Sequence, residues 1–340
     1  MKILVTGGLG FIGSHTVVEL HNGGYEVIII DDLSNSSIEI LDGIEKIIGI
    51  RPNFVQLDLK VKEEVRKFFK DNSDIAGVIH FAASKAVNES IENPLLYYNN
   101  NVNSLVYLLD ELKRLNNIKF VFSSSCTVYG QADEMPIKES APLKKAMSPY
   151  GFTKQIGEQI IQDIAKVSSI SSIILRYFNP IGAHPSAHIG ELPNGVPQNL
   201  IPFITQTAAG IREELSVYGV CYPTKDGTAV RDYIHVVDLA KAHVSSLNRL
   251  IQRNEENVVE IYNVGTGNGS TVLEVIDAFE KIANIRLNFK IVDKRQGDIA
   301  IAYASTEKIQ NHLNWSATYS LEDALESAWI WQQKKHTYIR

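Results

Sequence analysis

Lys2-Ile3-Leu4-Val5-Thr6-Gly7-Gly8-Leu9-Gly10-Phe11-Ile12-Gly13-Ser14-His15 opens the chain with an apolar run of strand length, a glycine cluster and the start of a helical pattern. Glycines at such a junction allow a tight turn, close approach of a pyrophosphate and close packing of the helix that follows. The first turn of that helix has N–H groups without intrahelical partners, which suit an anion. The stretch therefore predicts a strand, turn and helix that anchor a dinucleotide.

A second apolar run, Val27-Ile28-Ile29-Ile30, ends in Asp31-Asp32. A carboxylate there falls close to the spacing at which such folds hold the adenine ribose hydroxyls. Asp31 would repel a 2′-phosphate, and no Lys or Arg occurs between Asp31 and Lys46 to bind one, so NAD is expected rather than NADP. Short β-branched runs then alternate with helical stretches to about residue 177: Phe54-Val55-Gln56-Leu57, Gly77-Val78-Ile79-His80-Phe81, Phe120-Val121-Phe122 and Ile173-Ile174-Leu175. That alternation predicts an α/β fold built on a Rossmann-type, doubly wound parallel sheet. From residue 179 the texture changes to loops rich in Pro, Gly, Asn and His, with helices expected near 199–209, 236–251, 271–283 and 320–332. We expect an NAD-binding domain over 1–178 that carries the catalytic residues. A smaller C-terminal α/β substrate lobe over 179–340 would be interleaved with it, with the cleft at the carboxyl ends of the strands.

Ser148-Pro149-Tyr150-Gly151-Phe152-Thr153-Lys154, preceded by Ser125, carries the chemistry. A free tyrosine ionises only near pKa ~10, so a phenol that works as a base near neutrality needs a fixed positive charge beside it. If Pro149 opens a helix, Tyr150 and Lys154 share one face about one turn apart, and Ser125 can meet the reacting oxygen from another element. Further down this helix, Ile156, Ile160, Ile161 and Ile164 form a second apolar side, and Val102–Leu112 is apolar on more than one face. The expectation is a homodimer in which the two helices meet their copies as a four-helix bundle, the alternative being burial of both faces within the monomer.

With 33 basic and 39 acidic residues the formal charge is −6, which argues against a general nucleic-acid binder. Cys126 and Cys221 are too few for a disulfide framework, which fits a reducing cytoplasm. Cys126, next to Ser125 on an expected strand, should point to the opposite face and pack. Four glycines interrupt the N-terminal apolar stretch, so it does not read as a signal peptide, and no run approaches membrane-spanning length. His184 and His188 lie four apart, but Pro185 and the lack of helical pattern argue against a zinc site, and no metal is expected.

The glycine turn, Asp31, Ser125, Tyr150 and Lys154, in that order, make the chain similar to the extended short-chain dehydrogenase/reductases. Further stretches narrow the resemblance to the UDP-glucose (UDP-galactose) 4-epimerases: Gly13-Ser14-His15-Thr16, His80–Val87, Asn100-Asn101-Val102-Asn103, Ser123–Gly130, Arg176–Pro185, Tyr222–His235 and Gly297-Asp298. Together they run through nearly the whole chain. This resemblance implies one NAD held tightly through turnover. Tyr150 would take the proton of the sugar 4-hydroxyl as hydride leaves C4, and the resulting 4-keto sugar would turn its other face before proton and hydride return. Ser125 would orient the 4-oxygen, and Lys154 would hold the nicotinamide ribose and lower the phenol pKa.

For the cofactor, the match assigns Gly7, Gly10 and Gly13 to the pyrophosphate turn, and Asp31, Asn35 and Ser36 to the adenosine ribose. Asp58 and Leu59 fall at the adenine, Lys85 and Asn100 near the nicotinamide side, and Tyr177 beside the carboxamide. Phe11, Ile12, Asp32, Phe81, Ala82 and Ala83 complete the cofactor set. For the UDP-sugar, the match implies Asn179, Asn199 and Leu200 at the diphosphate and uracil, Tyr218 flanking the uracil, and Arg231, Arg295 and Asp298 at the diphosphate and ribose. Lys85, Thr127, Phe178 and Ala302 complete that set. Ala302 falls where strict UDP-glucose enzymes carry a tyrosine, which implies room for an N-acetyl group unless Tyr303 refills the space. Related dehydratases place an Asp-Glu pair just after the active-site hydroxyl residue, whereas Ser125-Cys126-Thr127-Val128 has no acid. A non-catalytic NAD sensor is the alternative outside enzymology, and the intact Ser125, Tyr150 and Lys154 argue against it.

Overall fold

Seven parallel strands form the central sheet of the computed structural model, which describes residues 1–295 and 298–337. In chain order, β1 is Lys2–Thr6, β2 Glu26–Asp31, β3 Asn53–Gln56, β4 Ile75–His80, β5 Lys119–Ser123 and β6 Ser171–Tyr177. Their order across the sheet is β3-β2-β1-β4-β5-β6, and the strand Val259–Val264 closes the β6 edge. Each expected strand is present. The order reverses between β1 and β4, and in such sheets the ligand crevice opens at that point.

The strands β1, β4, β5 and β6 are buried on both faces, which is why they read as continuous apolar runs, whereas the edge strand β3 has both its ends exposed. One core joins Val5, Ile29, Ile79, Val121 and Leu175 to the helices Phe11–Asn22 and Val236–Arg253. The opposite core joins Leu4, Ile28, Val78, Phe120 and Ile174 to Leu105, Leu108, Leu112 and Ile161. Ile161 is thus fully buried inside the protomer, and the bundle face expected of it is narrower than the sequence pattern implied. The helix expected over 102–112 begins at Ser104, after a π-turn over Asn99–Asn103, and only Val106 of its apolar residues is exposed.

Residues after 178 serve both parts. Val236–Arg253 and Val259–Val264 complete the large sheet layer, whereas Leu200–Ala208, Val272–Ala283 and Leu321–Thr337 enclose a separate core around Ile204, Phe279 and Leu325. Short pairs stitch the two parts together. Tyr233–His235 runs parallel to Asn179–Ile181, and Val230–Arg231 lies between Ser270–Thr271 and Ile301–Ala302.

Candidate active site

The glycine turn is built for close approach. Gly7 has φ +66°, and a Cβ on it would fall 2.7 Å from the Ala82 nitrogen. A Cβ on Gly13 would fall 2.2 Å from the Gly7 carbonyl oxygen, so the helix lies directly on the turn. That helix starts at Phe11 and Ile12 behind Gly10, with no side-chain cap and no acid in its first turn. Its leading N–H groups are therefore left for an anion. Phe81 and Ala82 donate backbone N–H groups to Thr6, which sets the 81–83 loop, including Ala83, beside the turn. Asp31 is buried and accepts from Leu9 N (3.0 Å), Leu33 N (3.0 Å) and Ser36 Oγ (2.7 Å). Burial pushes its carboxyl up, and the bonds from Ser36, Leu33 and Leu9 oppose that rise. A glycine cradle, an uncapped helix start and a buried carboxylate at the sheet switch point fit a dinucleotide.

Asn35 is exposed beside Ser36, and Leu59 is buried after Asp58. A cation does reach this end from further along the chain: Lys60 lies 3.6 Å from Asp32 and 3.3 Å from Asp58, which neutralise it. Asn100 accepts from Lys60 and donates to Ser84, so it stands on the Asp32–Asp58 side. Lys85 reaches 6.0 Å from the Phe11 ring centroid and pairs with Glu191 at 3.3 Å.

The reacting hydroxyls meet between two elements. Ser148 caps the helix Pro149–Ala165 by accepting from Gly151 N, and Pro149 opens it, as the sequence predicts. Tyr150, Thr153, Lys154, Glu158 and Ile161 form its buried face. Ser125 sits past the end of β5 as the cap of a 3₁₀ turn, Cys126–Tyr129, and its hydroxyl accepts from Thr127 N (3.2 Å) and Thr127 Oγ1 (3.0 Å). Cys126 is therefore on a turn and not on the expected strand. It still packs in a small core with Val128, Phe178 and Ala302, and burial pushes its thiol up to about 11.

The phenol behaves differently from the expected depressed base. Burial drives Tyr150 well above 10, neighbouring Tyr177 adds to the rise, and the hydrogen bond with Ser125 opposes it. Lys154 Nζ donates to the Ser123 carbonyl at 2.7 Å and lies 5.9 Å from the Tyr150 ring centroid. Burial lowers Lys154 to about 8, and Glu158 opposes that fall. Tyr177 accepts from Ser123 Oγ at 3.0 Å, which brings it to the same spot.

On the lobe side, Arg231 pairs with Asp298 at 2.8 Å, and the adjacent Asp232 takes no part. Arg295 lies 3.5 Å from Asp298, with its guanidinium 4.7 Å over the Tyr218 ring; Gly297 of the sequence motif lies outside the described residues. Ala302 pairs in register with Arg231. Asn179 donates its N–H to the Asp232 carbonyl, and Asn199, just ahead of Leu200, donates to Glu191 at 2.6 Å. The assigned substrate residues thus form two groups, one around Asp298 and one around Glu191.

Three residues escaped the sequence reading. Asp232 is fully buried and accepts from Thr266, Gly267 and Ala304, which fastens the Arg231 strand to the Ala302 strand. Glu191 joins Lys85 to Asn199 across the cleft. Glu158 lies one turn after Lys154 on the same face, and that spacing was the only available signal for it.

Residues 4–328 match the family described as GDP-mannose 4,6 dehydratase. The UDP-glucose 4-epimerase of Bacillus subtilis is 48% identical over 333 residues, covering 98% of this chain and 97% of its own. The structure of UDP-glucose-4-epimerase from Stenotrophomonas maltophila, with bound NAD and formylated UDP-arabinopyranose, aligns with a TM-score of 0.95 at 43% identity over 99% of both chains. That from Bifidobacterium longum, in complex with NAD+ and UDP, gives 0.94 at 44% identity over 99% of both. Identity of this order over nearly the whole of both chains, on the same fold, makes the chain a member of the UDP-glucose 4-epimerase family of extended short-chain dehydrogenase/reductases.

Proposed function

We propose that this protein is an NAD-dependent enzyme that interconverts UDP-glucose and UDP-galactose by inverting C4 through a transient 4-keto sugar. The observation that carries the reading is the hydrogen bond between buried Tyr150 and Ser125, with buried Lys154 one turn along the same helix face. Gly7, Gly10, Gly13 and Asp31 would hold NAD with Lys154 and Tyr177. Bound NAD supplies the acceptor and donor of the C4 hydrogen with its electron pair, and its oxidised ring adds a positive charge that favours the phenolate.

Tyr150 removes the proton of the sugar 4-hydroxyl and gives it back after the sugar has turned. A phenol whose burial raises its pKa is a strong base once ionised but ionises less readily, so a positive charge beside it is needed to favour the phenolate. Ser125, held by two bonds from Thr127, orients the 4-oxygen. Arg231 and Arg295 supply fixed donors for a diphosphate, the geometry that arginine matches. Ser125-Cys126-Thr127-Val128 offers no carboxyl group to expel water, which favours epimerisation over the dehydration named in the family description. Purified protein given UDP-galactose without added NAD should produce UDP-glucose anomeric signals in proton NMR. No conversion, even after NAD is supplied, would overturn the reading.

We infer that the pocket also admits UDP-N-acetylglucosamine and UDP-N-acetylgalactosamine. Ala302 lies beside Phe178 and Val128, and the Tyr303 ring turns to Gly269, where a Cβ would meet it at 3.3 Å; this supports Tyr303 not refilling the space that the small Ala302 side chain leaves. The 1–178 and 179–340 division serves this reading, with the sugar nucleotide between the two. A homodimer is proposed through Leu95 (80% exposed), Val106 and Phe152, apolar residues exposed on neighbouring helices, with half-buried Ile156, Ile160 and Ile164 at the margin. Among the described residues no helix is long and apolar enough to cross a membrane. Cys126 and Cys221 are free thiols, which supports a cytoplasmic location.

A further inference from the structure

The structure assigns Glu158 the role of a positioning residue, whose carboxylate ties the Ser124-Ser125 turn to the helix that carries Tyr150 and Lys154. Its side chain is 1% exposed and has three donors: Ser124 Oγ at 2.6 Å, Arg176 Nε at 3.0 Å and Arg176 Nη2 at 2.6 Å. Arg176, on β6, is equally dry and continues the chain of bonds by donating to Tyr129 Oη at 3.0 Å. Tyr129 donates in turn to Asn263 at 2.7 Å, on the strand Val259–Val264. One carboxylate therefore joins the catalytic helix, the exit of β5, β6 and the edge strand.

Ser125 and Tyr150 belong to different elements, and the 4-oxygen must meet both, so their separation has to be held to a fraction of an ångström. Apolar packing sets such a distance loosely, whereas short bonds to a buried charge are directional. A buried ion pair adds little to stability over a well-packed apolar pair, so stability alone does not account for this arrangement. The same carboxylate acts on Lys154. The titratable groups around that amine are Glu158 and Tyr150 on its own helix, neutral His80 from β4, and Tyr177 from β6, with Arg176 on the far side of Glu158. Glu158 is the anion among them, and it opposes the loss of the Lys154 proton that burial favours.

This inference rests on the proposed epimerase reading, and the test has one arm that does not. Ser124→Ala removes one bond to Glu158 without touching a charge. Read on the NAD-loaded protein without substrate, amide hydrogen exchange across residues 125–130 should speed up roughly 10-fold, since the turn loses its tie to the helix. With UDP-galactose, kcat should fall roughly 10- to 100-fold with KM nearly unchanged, as for a misplaced group. The paired variant Glu158→Gln with Arg176→Met removes the pair without leaving a lone buried charge. Its alkaline limb of kcat should move to lower pH by about one unit as Lys154 loses its anion.

Ser124→Ala with wild-type exchange and wild-type kcat overturns the proposal, as does a folded double variant with the wild-type pH profile. If the double variant does not fold, Ser124→Ala decides alone. If the wild-type protein binds NAD and Ser124→Ala shows the exchange effect, but the wild type turns over no UDP-hexose, the epimerase reading is refuted and the positioning role stands.

Discussion

Two arginine–carboxylate pairs sit on opposite sides of the cleft and differ in every respect that matters to their use. Arg176–Glu158, under the reacting hydroxyls, is 3% and 1% exposed and has short bonds. Arg231–Asp298, in the lobe, is 19% and 11% exposed, and Asp298 receives two further, longer contacts from Tyr222 (3.3 Å) and Arg295 (3.5 Å). In the first pair each guanidinium nitrogen and each carboxylate oxygen has a protein partner. The second is part-exposed, so under the proposed function a diphosphate would compete with Asp298 for Arg231. A dry, saturated pair fixes geometry, and a part-open pair is available for exchange.

The largest effect should come at the residue between the two regions. Tyr150→Phe removes one oxygen from a buried ring, so the fold and NAD content should remain while kcat falls by roughly 10³-fold or more. A variant within 10-fold of wild type would remove Tyr150 from the proton transfer.

The contrast between the pairs is testable by breaking each. Glu158→Ala leaves Arg176 buried without its anion and should cost about 3–5 kcal/mol of stability in urea unfolding. Asp298→Ala should cost about 1 kcal/mol or less. Arg231→Ala should leave stability close to wild type yet raise KM for UDP-galactose roughly 10- to 100-fold, since a charge-assisted contact to the diphosphate is lost. Equal stability losses for Glu158→Ala and Asp298→Ala would erase the distinction.

Acid should destabilise the fold through its buried histidines. His15, His80, His235 and His243 are buried, and burial holds them at about 3 to 4. They stay neutral in the fold while the unfolded chain protonates below about 6.5. Their contribution is therefore complete above about 6.5 and is lost as pH falls towards 4. Four protons taken up on unfolding would steepen the loss to about 5 kcal/mol per pH unit at most. Urea midpoints that stay flat from pH 6.5 to 4.5 would contradict this burial.

On the hexose reaction the smallest effect belongs to Ala302→Tyr. It should change UDP-galactose turnover by less than about 3-fold while removing turnover of UDP-N-acetylgalactosamine, a matter of pocket volume. Equal loss on both substrates would count against the steric account.

What could be read from the chain alone was local. The glycine turn, the strand ending in Asp31, and Pro149 behind its Ser148 cap are written in consecutive residues, and their period and capping chemistry place Tyr150 and Lys154 without tertiary information. Partners set by topology were out of reach. Arg231 has an acid next to it, yet its partner Asp298 is 67 residues away, because the Ile301–Ala302 strand returns alongside. Ser124 and Arg176 meet Glu158 only because β5 and β6 are neighbours. The direction of the Tyr150 shift depended on burial and on the approach of Tyr177, and both follow from packing.

The central claim is that C4 is inverted by removal and return of its own hydrogen inside one closed site. UDP-galactose carrying deuterium at C4, incubated with the purified protein in ordinary water, tests it most directly. The account predicts UDP-glucose that keeps the deuterium at C4, with no proton from water entering there. UDP-glucose with a water-derived proton at C4 would contradict it.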